Sequence, residues 1–289
     1  MNRISYDYQE YDLERNDVAL YLSCTKIKDS QPEDNILLIH GVTYSSHEFA
    51  VDYLDYSLVK RLADDGYGVW LMDIAGFGRS QALDDGFRPD SDYAAKDIAA
   101  GVERICELTE QDKINLLGWS WGTLTSSRFA ADHPERLNKL ILYAPIISGL
   151  GQAEVNEAFH HNSWEHAAED FQRDPDGSIN YELVEPLVVE LLCSNCWHYD
   201  GEYSPNGGRK DLLVARDQIL IDLDKITVPT LIIYGDRDPY LNYDLIDKAL
   251  EQLPSGSRKE MITGASHVAI LEKPYYKDFQ NRILRFLHD

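Results

Sequence analysis

Cysteine is scarce in this chain of 289 residues, with only Cys24, Cys106, Cys193 and Cys196. Four scattered thiols do not make a disulfide framework, and a chain this long does not need one to hold its core. Cys193 and Cys196 are close, with His198 nearby, but no second CxxC or spaced His pair follows to complete a zinc site. Reduced thiols are expected, and no metal. Basic residues are also few: 27 Lys+Arg stand against 50 Asp+Glu, a formal net charge of −23. Such a chain repels phosphate backbones and anionic membrane surfaces, which excludes nucleic acid as a partner. No apolar run approaches a membrane span, and Met1 to Asp7 lack the apolar region of a secretory signal, so a cytoplasmic protein without a membrane span is expected. Internal repeats and low-complexity tracts are missing too.

What is present is ordinary for a folded protein, at 44% hydrophobic and 27% charged residues. The length suits one large domain or one domain carrying an insertion. From residue 35 onward, short apolar runs rich in β-branched residues (36–39, 69–72, 114–117, 140–143, 230–234) alternate with stretches of helical period (57–65, 91–110, 122–132, 243–253, 274–288). Nearly continuous apolar strands are covered on both faces, so the expected class is α/β, a mostly parallel sheet with helices on both faces. Residues 18–24 read as an earlier antiparallel strand and 259–262 as the last strand. The alternation lapses between 146 and 226 into an acidic stretch of helical character with turn signals. We expect an inserted, mainly helical cap at 146–226, with the core formed by 1–145 and 227–289.

Gly118-Trp119-Ser120-Trp121-Gly122 is a G-x-S-x-G sequence between an expected strand and an expected helix. In that setting the turn is sharp enough to present the serine outward as a nucleophile. A serine nucleophile needs a base, and the base needs an acceptor to hold its tautomer, in the chain order Ser, acid, His. Gly264-Ala265-Ser266-His267 follows the last expected strand, which makes His267 the candidate base; the other histidines are out of order, in the cap or at the terminus. Tyr234-Gly235-Asp236-Arg237-Asp238-Pro239 leaves a strand with two carboxylates that can reach such a base. Asp238 is preferred, and Asp236 then reads as a turn former. For an oxyanion, one backbone donor is expected from Trp121, after the nucleophile. The second is expected from Val42 in His40-Gly41-Val42-Thr43, where Gly41 would let the backbone turn.

These segments together resemble the α/β-hydrolase family over nearly the whole chain. Asp73-Ile74-Ala75-Gly76-Phe77-Gly78-Arg79-Ser80 is similar to the family's D-x-x-G-x-G-x-S loop, and Gly264 to His267 with Glu272-Lys273-Pro274 to its histidine segment. Asn242 stands where the family often has proline, and Ser266 where glycine is frequent. The resemblance implies a serine hydrolase without cofactor: His267 takes the Ser120 proton, Asp238 orients the imidazolium, and Val42 and Trp121 hold the oxyanion. Serine at the elbow separates the chain from haloalkane dehalogenases and epoxide hydrolases, which need a carboxylate nucleophile.

The implied partner is a small-molecule acyl substrate, and three bond types stand open. A carboxylic ester is favoured; a proline-type aminopeptidase or amidase and a carbon-carbon bond hydrolase are the alternatives, and a non-catalytic ligand receptor is the alternative of another class. Residues 146–225 hold 16 Asp+Glu against five Lys+Arg, which suits an amine-bearing substrate or simply a solvated surface. Phe159, Trp164, Trp197 and Tyr199 are candidates for the wall of an apolar pocket in the cap.

Overall fold

Side chains alternate across a strand, so a strand covered on both faces must be apolar at every position. Ile36 to Ile39 meet that condition, all four being buried, and Asn35 before them is buried with its side-chain amide donating to Gln111 Oε1 and accepting from Trp70 Nε1. The computed structural model describes residues 4–289. The chain enters through Tyr6–Arg15 (β1) and Val18–Ile27 (β2), then Asn35–Ile39 (β3), Leu58–Asp64 (α1), Gly68–Met72 (β4), Ser91–Thr109 (α2) and Ile114–Trp119 (β5). Trp121–Asp132 (α3) and Leu137–Tyr143 (β6) follow. After them come Phe159–His161 (β7), Trp164–Ala167 (α4), Pro186–Tyr199 (α5), Tyr203–Pro205 (β8) and Gly207–Leu212 (α6). Thr230–Gly235 (β9), Tyr243–Gln252 (α7), Arg258–Ile262 (β10) and Tyr276–His288 (α8) complete it.

Eight strands form one sheet in the order β1-β2-β4-β3-β5-β6-β9-β10. β2 is antiparallel to both β1 and β4, and the remaining pairs are parallel. Two cores result. Ile36, Leu38, Leu117 and Ile141 face α1 and α8 on one side, while Leu37, Ile39, Leu116 and Leu140 face α2, α3 and α7 on the other. The mostly parallel α/β architecture expected from the apolar runs is therefore observed. α2 starts at Ser91, where its sequence suggests, capped by the Asp90 carboxylate, which accepts Tyr93 N at 2.8 Å.

β1 escaped the sequence reading because it is a polar edge strand with one buried residue, Leu13. Its only signal is the Asn16-Asp17 pair, both residues at positive φ (52° and 63°), which makes the two-residue turn into β2.

The stretch between β6 and β9 leaves and rejoins the sheet side by side, with Gly149 N donating to Gln218 O and Leu220 N to Ile147 O. Its helical character is concentrated in α5, of 14 residues. α4 and α6 are short, β7 pairs with β8 in a small antiparallel ladder, and turns make up much of the remainder. The C-terminal end of α5 is fastened to the core by Asp200, whose carboxylate accepts hydrogen bonds from Ser45 N (3.2 Å), Gly78 N (3.0 Å) and His47 Nε2 (2.8 Å). Among the described residues no helix is long and apolar enough to cross a membrane.

The join between β5 and α3 is tight. A Cβ on Gly118 would collide with the Gly122 carbonyl oxygen, and one on Gly122 would lie 2.5 Å from Ile39 O and 2.6 Å from His40 O. Neither glycine has positive φ, so close approach rather than backbone freedom requires them here. Gly122→Ala is expected to lower the free energy of unfolding by about 1–3 kcal/mol, the usual cost of overpacking, measured by urea denaturation against the parent protein.

Candidate active site

Ser120 is the residue between β5 and α3, with φ 57° and ψ −121°. A non-glycine residue rarely adopts positive φ, and here packing imposes it. Ser120 N donates to Tyr143 O at 3.0 Å, and Ser120 O accepts from Thr123 N at 2.9 Å. The side chain is thereby held in the wall of a cavity of about 220 Å³ at the C-terminal edge of the sheet. Trp121 follows as the first residue of α3. Its amide precedes any acceptor within the helix, while its indole turns away into the core and donates to Ser91 Oγ at 2.8 Å.

His267 lies in the loop after β10 and opens on the same cavity. Its Nδ1 donates to Asp238 Oδ2 at 2.7 Å, and both side chains are almost wholly buried. The accepting carboxylate fixes the tautomer, leaving Nε2 with its lone pair. Asp238 is held in turn by Tyr240 N on Oδ1 at 3.0 Å. Burial disfavours the imidazolium, but the Asp238 carboxylate in contact and the charge of Asp170 outweigh it, so His267 is raised above its ordinary value. Asp236, the other carboxylate of that turn, accepts from Gly264 N at 2.6 Å and shapes the histidine loop. Glu272 binds both Ser266 N and Ser266 Oγ at 2.9 Å, and Tyr143 donates its hydroxyl to His267 O at 2.8 Å. The loop that carries the imidazole is thus fixed from both sides.

Val42 lines the cavity opposite, in the loop after β3. His40 sets the course of that loop, donating from Nδ1 to Gly41 O at 2.8 Å and accepting Ile74 N on Nε2 at 3.1 Å. Burial pushes its pKa down and keeps the ring neutral. Gly41 does not meet the expectation: its φ is not positive, and a Cβ there would sit 3.5 Å from Ser120 Cβ and 3.9 Å from Ser120 Oγ. A side chain there would lie in ordinary contact with Ser120.

The aromatics expected to wall a pocket do not line this cavity. Trp164 and Trp197 stack on each other, centroids 6.4 Å apart, and are 47% and 41% exposed. Tyr199 stacks on His47, and Phe159 lies in β7 beside Gly86. The walls come instead from Tyr44, Trp119 and Tyr240, with Ile146, Leu192 and Leu212 from the stretch between β6 and β9. Five further side chains there carry charge or can acquire it: Glu48, His166, Glu169, Asp170 and Arg209. Burial, then Asp200 and Asp170, raises Glu48 well above the ordinary carboxylate range. Nothing in the sequence marked Tyr44, Tyr240, Asp170 or Arg209, because each stands outside a recognisable motif. Cys193 and Cys196 are both buried, and among the described residues no cluster of three or more potential metal ligands occurs.

A doubly covered parallel sheet, a strained serine at a strand-to-helix turn and a carboxylate-bound histidine at the sheet's C-terminal edge define the class of the α/β hydrolases. A family model described as the alpha/beta hydrolase fold matches residues 34–274, and the chain belongs to that family. It is 24% identical over 266 residues to a proline iminopeptidase of Lactobacillus crispatus (strain ST1), covering 82% of this chain and 85% of that one. In structure it is similar to a hydrolase from Pseudomonas aeruginosa PA01, with a TM-score of 0.70, 19% identity and 97% and 99% of the two chains covered. It is likewise similar to naproxen esterase (carboxylesterase NP) from Bacillus subtilis, with a TM-score of 0.65, 17% identity and 98% and 93% covered.

For the histidine the sign is definite. Because its pKa is raised on folding, the His267–Asp238 pair contributes stability that is complete below the unfolded value near 6.5 and is lost as pH rises through the folded value. An NMR titration of the His267 ring should give a midpoint above 6.5, and Asp170→Asn should move that midpoint down. A midpoint at or below 6.5 in the parent protein would contradict this electrostatic account.

Proposed function

We propose that the protein is a serine hydrolase that cleaves the acyl bond of a small carboxylic ester through Ser120, His267 and Asp238. The observation that carries this reading is the buried His267–Asp238 hydrogen bond of 2.7 Å on the same cavity as a serine held at positive φ. In the reaction the Ser120 hydroxyl gives its proton to His267 Nε2 as its oxygen attacks the carbonyl carbon. The Val42 and Trp121 amides donate to the resulting oxyanion. Collapse expels the alcohol, which takes the proton from His267. Water then repeats the sequence on the acyl-serine, so that ester and water become acid, alcohol and free enzyme. Asp238 keeps its proton count throughout and stabilises the imidazolium that forms and vanishes twice.

Residues 146–226 act in this proposal as a cap over the cavity. Ile146, Leu150, His166, Leu192, Arg209 and Leu212 support that role, since all belong to the stretch and all line the cavity that Ser120 lines. Excluding water there strengthens every electrostatic contact to the developing oxyanion. We place the enzyme in the cytoplasm, consistent with four cysteines that are all free and buried.

A second reading has its own support. Glu169 and Asp170 bring two acidic side chains to the cavity, beside Glu48, which burial drives toward its neutral form, and proline iminopeptidases of several lactobacilli match more than four fifths of the chain. An aminopeptidase would set a substrate ammonium against these groups and cut the following amide by the same steps.

A fluorophosphonate probe should label the parent protein and leave Ser120→Ala unlabelled. Turnover of 4-nitrophenyl butyrate should fall by about a thousandfold or more in Ser120→Ala and in His267→Ala, the scale on which a nucleophile or its base is missed. The acid limb of kcat/KM should have its midpoint above 6.5, following the raised His267. Faster release of nitroaniline from prolyl 4-nitroanilide than of nitrophenol from the butyrate would transfer the proposal to the aminopeptidase reading. An unlabelled parent protein would end both.

A further inference from the structure

One cation in the cavity wall has no ionic partner, and the proposed hydrolysis does not use it. Arg209, near the start of α6, sits half-buried on the cavity. Its hydrogen bonds go to neutral groups only: Nη2 donates to Thr43 Oγ1 at 2.5 Å and Nη1 to Asn206 Oδ1 at 3.4 Å. Among the described residues it forms no salt bridge, in a chain where acidic side chains outnumber basic ones almost two to one. Desolvated guanidinium groups are normally paired, because leaving one without a counter-charge is costly.

The carboxylates near it are otherwise engaged. Glu169 is the nearest in its electrostatic effect, yet it is 58% exposed and turns to His166 Nε2 at 3.6 Å. Asp170 accepts the Tyr240 hydroxyl at 2.8 Å. Glu48 is driven toward its neutral form by burial. The remaining neighbours are poor counter-ions: Tyr44, whose hydroxyl meets His166 Nδ1 at 3.2 Å, and His160, whose ring packs 4.5 Å from that of His166 and whose buried Nε2 has no hydrogen-bond partner. Burial lowers Arg209 only to about 10, so it stays charged at neutral pH. Thr43 adjoins Val42, which brings the guanidinium to the same side of the cavity as the proposed oxyanion loop.

We propose that Arg209 is the anion-binding element of this cavity, and that the natural substrate carries a carboxylate in addition to the acyl bond that is cut. The inference rests on the acyl-hydrolase reading above and narrows its substrate class to half-esters or half-amides of small dicarboxylic acids. A planar carboxylate matches the guanidinium fork, and binding it supplies the counter-charge that the wall lacks. The long-range field of an acidic protein opposes the approach of an anion, so the selectivity comes from this short contact and not from steering.

The test compares the monomethyl and dimethyl esters of succinic, glutaric and adipic acids, each followed by acid release in a pH-stat. For at least one chain length the parent protein should favour the anionic monoester by about tenfold or more in kcat/KM, the scale on which a site built for a polar group rejects the analogue lacking it. That ratio should collapse to about one in Arg209→Met. Arg209→Lys should recover part of it, keeping the charge and losing the fork. Fluorophosphonate labelling of Ser120 is read in parallel on every variant. If Arg209→Met fails to label, the ratio in Arg209→Lys decides: an unchanged ratio counts against the fork. A labelled parent that prefers diesters at every length, or a labelled Arg209→Met that keeps the preference, overturns the proposal while the serine reading stands. A parent protein that neither labels nor hydrolyses any ester shows instead that the acyl-hydrolase reading has failed.

Discussion

The chain leaves β5 and enters α3 through a single residue, Ser120, whose backbone lies where L-residues are seldom found. That conformation costs on the order of 1–3 kcal/mol. It persists because two backbones pass so close at Gly118 and Gly122 that no gentler turn fits between them. The direction of the hydroxyl, the freedom of the Trp121 amide and the floor of the cavity all follow from this one crossing. Elsewhere the site is adjusted by side chains; here it is set by the distance between main chains, and the sheet on one side and α3 on the other oppose any relaxation.

A second layer of organisation surrounds the imidazole. Tyr143, Glu272 and Asp236 each spend their polar atoms on the backbone of the histidine loop, so the geometry of the His267–Asp238 pair is maintained by residues that never face the cavity. Gln172, from the stretch between β6 and β9, adds hydrogen bonds to Gly264 O at 2.8 Å and to Glu272 Oε1 at 2.7 Å. The loop and that stretch are therefore mechanically joined, and a disturbance of one is felt by the other.

Much of this was legible beforehand, for identifiable reasons. Strands buried on both faces must be apolar throughout, which made β3 to β6 and β9 visible. Ser120, Asp238 and His267 sit within five residues of strand ends, where the position along the chain nearly determines the position in space. The edge strand β1 was not legible, since its residues are polar and its pairing depends on a turn. Cavity walls were illegible for a different reason. Tyr44, Tyr240 and Arg209 are brought together from three remote segments, and no local spacing encodes that meeting. The aromatic residues of 146–226 misled because a helix as apolar as α5 does not announce which of its sides faces inward; Trp197 turned out to be on the outer one. Gly41 does not bend the chain through positive φ; a Cβ there would touch Ser120 at ordinary contact distance.

Asp200 joins the end of α5 to three donors of the core at once. Prising that end loose would strip a buried carboxylate of three charge-assisted bonds, each worth about 1.5–3 kcal/mol. The far side, between α4 and α5, is tied down as well, by Gln172 on Glu272 Oε1 at 2.7 Å and by Lys273 on Glu185 at 3.3 Å. The stretch is thus pinned at both flanks, to the core through Asp200 and to the histidine loop through Gln172, so the void beneath it is spanned like a bridge with two abutments.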